Sequence, residues 1–140
     1  MPDQPMILGF DPGRDKCGIA VMGVDRRLHY QDILPANRVL AELQRLQTQF
    51  PISLLVMGNQ TTANRWKQHL QDLPTLPRVV MVDERHSTLE ARNRYWRMYP
   101  ARGLYRFIPQ GLRLPPRPVD DIVAILLIER YLDQLTDLPP

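Results

Sequence analysis

Three acidic residues stand where a carboxylate can do chemistry. Asp11 ends an apolar run that begins at Met6-Ile7-Leu8, inside the segment ILGFDPGRDKCGIAV. Gly13 and Gly18 let the chain turn back behind it, and Ile19-Ala20-Val21 resumes the apolar pattern. Glu84 follows a second apolar run, residues 79–82, and Asp120 opens a long apolar stretch near the C-terminal end. Carboxylates without histidine or cysteine partners make a hard, all-oxygen donor set of the kind that suits Mg²⁺ or Mn²⁺. Two such ions about 3.5–4 Å apart can activate a water and stabilise the leaving oxygen of a phosphodiester. Without a cation the acids would repel one another, so holding them together for structure alone is costly. Taken singly, each has a plainer explanation. An aspartate at 120 or 121 can cap a helix and complement its dipole, and Asp83 and Glu84 can be polar residues at a strand end.

For these acids to meet, the elements that carry them must converge. Residues 6–10, 17–24 and 28–34 read as an antiparallel meander, with Asp25-Arg26-Arg27 as a turn. Asn37 reads as the N-cap of a helix in which Val39, Leu40, Leu43, Leu46 and Phe50 recur at helical spacing, stopped by Pro51. Residues 52–57 are a continuous apolar run of the buried-strand type. Thr61 or Thr62 can cap the next helix, whose inner face is Ala63, Trp66, Leu70 and Leu73. After the strand at 79–82, Ser87 and Glu90 form an S-x-x-E capping pattern that opens a helix to Met98. On that helix Tyr95, Trp96 and Tyr99 fall on the core side, Arg94 and Arg97 share a polar arc with Glu90, and Arg92 falls on the apolar side. Residues 100–118 form a long loop rich in proline, glycine and arginine. The last helix, 119–135, is apolar almost all round and should be well buried. Strands alternating with helices after an initial meander predict an α/β sheet with helices on both faces. In such sheets the carboxyl ends of adjacent strands form the usual site.

The 140 residues suit one domain, 1–140, and their 44% hydrophobic and 24% charged content is that of a globular protein. No apolar run approaches the roughly 20 residues of a membrane span, and the start, Met-Pro-Asp-Gln-Pro, has no signal-peptide pattern. The single cysteine, Cys17, reads as a small buried hydrophobe and fits a reducing cytoplasm. Charge is unevenly placed. Between Arg85 and Arg117 eight arginines stand against one acid, Glu90, a balance of +7 that leaves −4 for the rest of a chain whose total is +3. That asymmetry points to a polyanion partner. Arginine suits phosphate through its planar fork, and Lys16 and Lys67 are the only lysines. Arg14 and Lys16 lie in the turn beside Asp11, where they can contact a nucleic-acid backbone or simply be solvated. Arg85 can clamp a phosphate or pair with Asp83 or Asp11. Arg92 can reach the acids or bury its stem. His86 can assist proton transfer or be an ordinary polar turn residue. Tyr105 and Phe107 alternate with Arg102 and Arg106, an interleaving that suits single-stranded or distorted nucleic acid.

Three segments, ILGFDPGRDKCGIAV, VDERHSTLEAR and PVDDIVAILLIERYL, together resemble the YqgF (RuvX) family of RNase H-like nucleases. The family's D-x-G-x(4)-G-x-A opening matches Asp11, Gly13, Gly18 and Ala20. Its D-E-R-x-[ST]-T-x-E-A segment matches Asp83 through Ala91, and its final helix matches at Val119-Asp120. The resemblance implies an RNase H-like fold: a mixed five-stranded sheet with the second strand antiparallel and helices on both faces. It also implies an acidic triad of Asp11, Glu84 and Asp120 holding Mg²⁺ or Mn²⁺, with Asp120 chosen over Asp121 on the motif register. Family members are described as nucleases maturing the 5′ end of 16S rRNA and as Holliday-junction resolvases. The implied partner is therefore an rRNA precursor or branched DNA, bound by a monomer or homodimer. The chain departs from the family's pattern at Met57-Gly58-Asn59-Gln60-Thr61-Thr62 and at His86, where leucine is usual. The Asp-Pro-Gly turn also resembles the RuvC resolvases. A non-catalytic nucleic-acid-binding protein is the alternative class, and a two-domain sugar-kinase or actin-like ATPase is disfavoured by length.

Overall fold

The computed structural model describes residues 4–59, 63–71 and 77–136. β1 (Met6–Asp11), β2 (Lys16–Gly23) and β3 (Leu28–Pro35) form an antiparallel meander. β4 (Ile52–Gly58) and β5 (Arg78–Val82) extend the sheet in parallel with β1, giving the order β3-β2-β1-β4-β5. The helices are α1 (Val39–Gln49), α2 (Ala63–Gln71), α3 (Ser87–Met98) and α4 (Asp120–Thr136). The mixed five-stranded sheet is the one expected, and β1 lies at its centre.

The two-residue period of the strands sorts their side chains into two cores. Leu8, Phe10, Ile19, Val21, Leu55 and Met57 pack against α1 and α2. Ile7, Ala20, Met22, Val56 and Val82 point the other way, against α3 and α4. Residues 121–128 of α4 are all buried, which explains an apolar pattern with no polar face. The helix lies on the sheet and is covered in turn by α3, to which a bidentate Arg94–Glu129 pair ties it at 3.0 and 2.7 Å.

Two glycines set how closely α4 approaches. A Cβ on Gly9 would overlap the carbonyl oxygen of Ala124, and one on Gly18 would overlap the backbone of Asp120 and Asp121. Helix backbone therefore rests on strand backbone. Gly18 is the register partner of Asp11, so the same contact brings the start of α4 to the end of β1.

Several local expectations change. Asn37 sits inside a 3-10 turn, Ala36–Arg38, and α1 begins after it with no side-chain cap. The Ser87–Glu90 capping box does not form. His86 takes a left-handed conformation (φ 62°) at the cap position, Ser87 becomes the first helical residue, and Glu90 pairs with Arg130 of α4 at 3.0 Å. Tyr99 is 44% exposed rather than core, although its ring lies 5.0 Å from that of Tyr95. Arg94 leaves the expected polar arc for Glu129, and Arg92 is exposed. Residues 100–118 contain two 3-10 turns, Gly103–Phe107 and Gln110–Leu112. Trp66 packs edge-on against Phe10 at 5.2 Å, as a core residue should. The cap expected at Thr61 or Thr62 and the inward Leu73 lie outside the described residues. Among the described residues no helix is long and apolar enough to cross a membrane.

Gly18→Ala should destabilise the protein by about 1–3 kcal/mol or more, because a backbone carbonyl has to move aside. Gly111→Ala, where an added Cβ meets nothing within 4 Å, should leave the urea midpoint unchanged.

Candidate active site

Strand period brings the acids to one face. Asp11 continues the 7–9–11 row of β1, Glu84 continues the row of Val82 beyond β5, and both therefore face the layer that contains α4. β1 and β5 run parallel with β4 between them, so their carboxyl ends share one edge of the sheet. At that edge Gly58 ends β4, and a Cβ there would overlap the carboxylate of Glu84. The absent side chain is the seat of that carboxylate, which is 4% exposed. Asp120 arrives from the other side on the first turn of α4, over Gly18.

The three charges sense one another. The Asp11 carboxyl is pushed up to about 8, first by burial and then by the negative charges of Asp120 and Glu84. Asp120 is also raised, by burial first and then by Asp121, while the ammonium of Lys16 pulls the other way. Among the described residues no three His, Cys, Asp or Glu side chains stand together as a ready-made ligand shell. The donor chemistry itself, carboxylate oxygens on a rigid frame, is that of a site for a hard divalent cation.

Adjacent aspartates on α4 diverge completely. Asp121 is buried and accepts hydrogen bonds from Gln31 Nε2 (2.7 Å), Arg117 Nη1 (3.0 Å) and the Ile122 N–H (2.9 Å). Arg117 is itself held between Tyr95 and Tyr99, its guanidinium 5.4 and 5.6 Å from the two ring centres. Asp121 is thus engaged within the fold by Arg117 and Gln31, whereas the charge of Asp120 reaches Asp11.

The turn between β1 and β2 is fastened by Cys17. Its Sγ accepts from the Gly13 N–H at 3.5 Å and donates to the Gly13 carbonyl at 3.8 Å. Burial raises this thiol, which suits a packed side chain rather than a nucleophile. Arg14 and Lys16 are exposed on either side of Asp15. On the far side of the acids Arg85 is exposed, its guanidinium a long 3.7 Å from the Asp83 carboxylate while its backbone N–H donates to that same carboxylate at 3.0 Å. His86 and Thr88 line a cavity of about 440 Å³ together with Asn59 and Glu84. Arg92 and Asp120 line another of about 370 Å³ that continues to Leu114. Arg102 and Arg106 are exposed in the loop beyond it and do not touch the acids.

Arg130 was not singled out by sequence reasoning. From α4 it donates Nη1 to the carbonyl of Asp83 and Nη2 to that of Arg85, both at 2.8 Å, and so grips the backbone on each side of Glu84. One signal was available: Glu129-Arg130 is the first charged pair to interrupt an otherwise apolar helix, and such a break needs partners. Gly58 was likewise readable only once the strand rows were known.

The chain is 31% identical over 151 residues to a protein of Xanthomonas euvesicatoria pv. vesicatoria named "Putative pre-16S rRNA nuclease", with 95% of this chain and 92% of that one covered. A protein of Coxiella burnetii bearing the same name is 29% identical over 150 residues, with 96% and 97% covered. No family model matches the chain. Among solved structures, T. thermophilus RuvC in complex with Holliday junction substrate aligns with a TM-score of 0.59 at 17% identity, over 96% of this chain and 97% of that one. A second Thermus thermophilus RuvC structure aligns at 0.52 and 12% identity, over 94% and 96%. At these identities the likeness is one of fold, and that fold is RNase H-like.

Asp11 holds its proton more tightly folded than unfolded, so the cation-free native state binds more protons and its stability should fall as pH rises from about 4 to about 8. Asp11→Asn should flatten that slope and raise stability at pH 8, on the order of several kcal/mol. Urea unfolding in chelator at pH 5 and pH 8 checks both. Arg130→Ala should cost roughly 1.5–3 kcal/mol in the same measurement, as expected for lost charged hydrogen bonds.

Proposed function

The chain belongs to the YqgF (RuvX) family of pre-16S rRNA nucleases, and on that premise we propose that it hydrolyses phosphodiester bonds in structured nucleic acid, its substrate being the 5′ end of precursor 16S rRNA. The observation that carries this reading is the convergence of Asp11, Glu84 and Asp120 on one sheet edge, with Asp11 pushed up to about 8 by burial and by the other two. An arrangement so unfavourable by itself makes physical sense as a site whose charge is completed by a ligand. Asp11, Glu84 and Asp120 would hold divalent cations, Mg²⁺ or Mn²⁺. When bound, such ions supply water activation and stabilise the leaving oxygen.

The remaining work falls to the chain's own side chains. The Glu84 carboxylate occupies the space a side chain at Gly58 would fill, and Arg130 holds the backbone on each side of it. Lys16 already acts on the charge of Asp120 and stands ready for a phosphate oxygen at the same mouth. Arg14 lies beside it. Arg85 gives up little in leaving Asp83, since an exposed pair at 3.7 Å contributes about 0–1 kcal/mol. With Arg92 it would grip the backbone on the opposite side, and Arg102 and Arg106 would extend the grip along the loop. The substrate would place the protein in the cytoplasm, acting as a monomer or homodimer.

A second reading, a Holliday-junction resolvase, is favoured by one observation: the fold likeness to RuvC, one of whose structures is titled as a complex with Holliday junction substrate. That role requires paired cuts and a two-fold dimer. A cleavage panel of precursor rRNA, a four-way junction and single strands, with Mg²⁺ and Mn²⁺, separates the readings. Precursor rRNA should be cut, and Asp11→Asn, Glu84→Gln and Asp120→Asn should each lose at least about a hundredfold in rate while substrate binding stays within a few-fold. Wild-type cleavage by Asp11→Asn would sink the assignment of the acids. Symmetric cuts in the junction alone, by a dimer, would favour the resolvase. No uptake of Mn²⁺ in calorimetry would favour a binding protein without catalysis.

A further inference from the structure

We propose that the outer surface of residues 100–118, the loop packed on α3, is a subsite for single-stranded nucleotides flanking the cut bond, with unpaired bases stacking on the exposed rings of Tyr105 and Phe107. The proposal rests on the nuclease reading of the acids and names the form of nucleic acid they receive.

The acids are not isolated from the loop. The cavity of about 370 Å³ that begins at Asp120 runs past Arg92 to Leu114, so a strand leaving Asp120 toward α3 meets the C-terminal end of the loop. There the surface is unusual. Leu104 is 82% exposed, Phe107 72%, Leu112 74% and Leu114 69%. A slack loop would fold such side chains inward. Here the backbone is fastened from within instead. Arg113 donates Nε to the Ile108 carbonyl at 2.7 Å and Nη2 to the Arg106 carbonyl at 3.1 Å, with its guanidinium 5.7 Å from the Trp96 ring centre. Trp96 Nε1 donates to the Arg113 carbonyl, Gln110 Nε2 to that of Asn93, and the Tyr105 ring stacks on Trp96 at 5.9 Å. With its carbonyls satisfied on the inside, the loop presents its apolar groups outward as a preorganised surface.

Charge selects the occupant. No acid occurs between Ala91 and Val119, where seven arginines stand. Arg94, Arg113 and Arg117 are engaged inside the fold, by Glu129, by backbone carbonyls and by Asp121. Arg92, Arg97, Arg102 and Arg106 are exposed, and the Arg106 guanidinium lies 5.1 Å from the centre of the Phe107 ring. Rings interleaved with exposed guanidinium groups complement a phosphate backbone with splayed bases. A duplex offers no free base faces to those rings, so the surface discriminates for unpaired strand.

The experiment uses the full chain in chelator, where nothing is cut, and a labelled single-stranded RNA against a duplex of the same sequence. Wild type should bind the single strand more tightly. Phe107→Ala should lose roughly five- to a hundredfold in affinity, Phe107→Tyr should retain it, and Arg106→Ala should make the salt dependence shallower by about 0.7 in log–log slope. Phe107 is largely exposed, so its variants should melt with the wild type. Equal affinity of wild type and Phe107→Ala, or preference for the duplex, overturns the subsite. So does a Phe107→Ala variant that only loses self-association in sedimentation, which would assign the surface to a second copy of the chain. Single-strand binding without cleavage of any substrate would overturn the nuclease reading and leave the subsite standing. Cleavage of precursor rRNA by Phe107→Ala with wild-type KM would do the reverse.

Discussion

Close contact between α4 and the paired backbones of β1 and β2 governs the acidic end of this fold. Asp11 and Asp120 lie far apart in sequence, and they meet because Gly18 lets the first turn of the helix rest on the strand. The place is unfavourable for a charge, as the upward shift of Asp11 records: burial causes most of it, and the charges of Asp120 and Glu84 add to it. What opposes it is apolar. Ile122, Ile125, Leu127 and Ile128 are essentially fully buried, and at roughly 1.5–3 kcal/mol each their burial outweighs the repulsion. The helix is therefore an anchor whose hydrophobic length holds a charged tip in a place it would otherwise avoid.

Positive charge follows the same division between frame and surface. A window of +7 looks in the sequence like one basic patch. In the structure Arg94 ties α3 to α4, Arg113 fastens the long loop from inside, and Arg117 pairs with Asp121 between two tyrosine rings. The others remain at the surface. Part of the cluster thus exists to build the platform on which the rest is displayed. Asp121 shows the complement: an acid beside Asp120 that is tied into the frame by Arg117 and Gln31.

Element type and order were legible in the sequence because the apolar rows are long and their periods clear. The placement of Asp11, Glu84 and Asp120 was legible too, since each ends, follows or begins such a row. Helix starts were not. Asn37 and Ser87 carry cap chemistry, yet the chain enters α1 through a 3-10 turn whose Ala36 N–H donates to the Asp15 carbonyl, and α3 through a left-handed His86 next to the Arg85 carbonyl that Arg130 holds, contacts that local patterns do not encode. Arg130 escaped notice because, besides Glu90, it grips two backbone carbonyls across the fold, which leave no trace in residue type. Gly58 matters through what it omits, and an omission becomes visible only when the carboxylate of Glu84 fills it. Tyr99 fell on the core arc but ends its helix, where the covering layer thins.

The lateness of α4 in the chain has a consequence for synthesis. The strands of the meander and α1 can pair as they emerge, but the face of β1 and β2 that carries Gly9 and Gly18 stays uncovered until the final helix leaves the ribosome. Until then Asp11 has no acidic neighbour from that side, and Ile7, Ala20 and Met22 are open to water. A nascent chain thus lacks the charge of Asp120 beside Asp11 while its exposed sheet face is most prone to sticking. Docking of α4 closes that face and brings Asp120 over Gly18, the partner of Asp11, in one event.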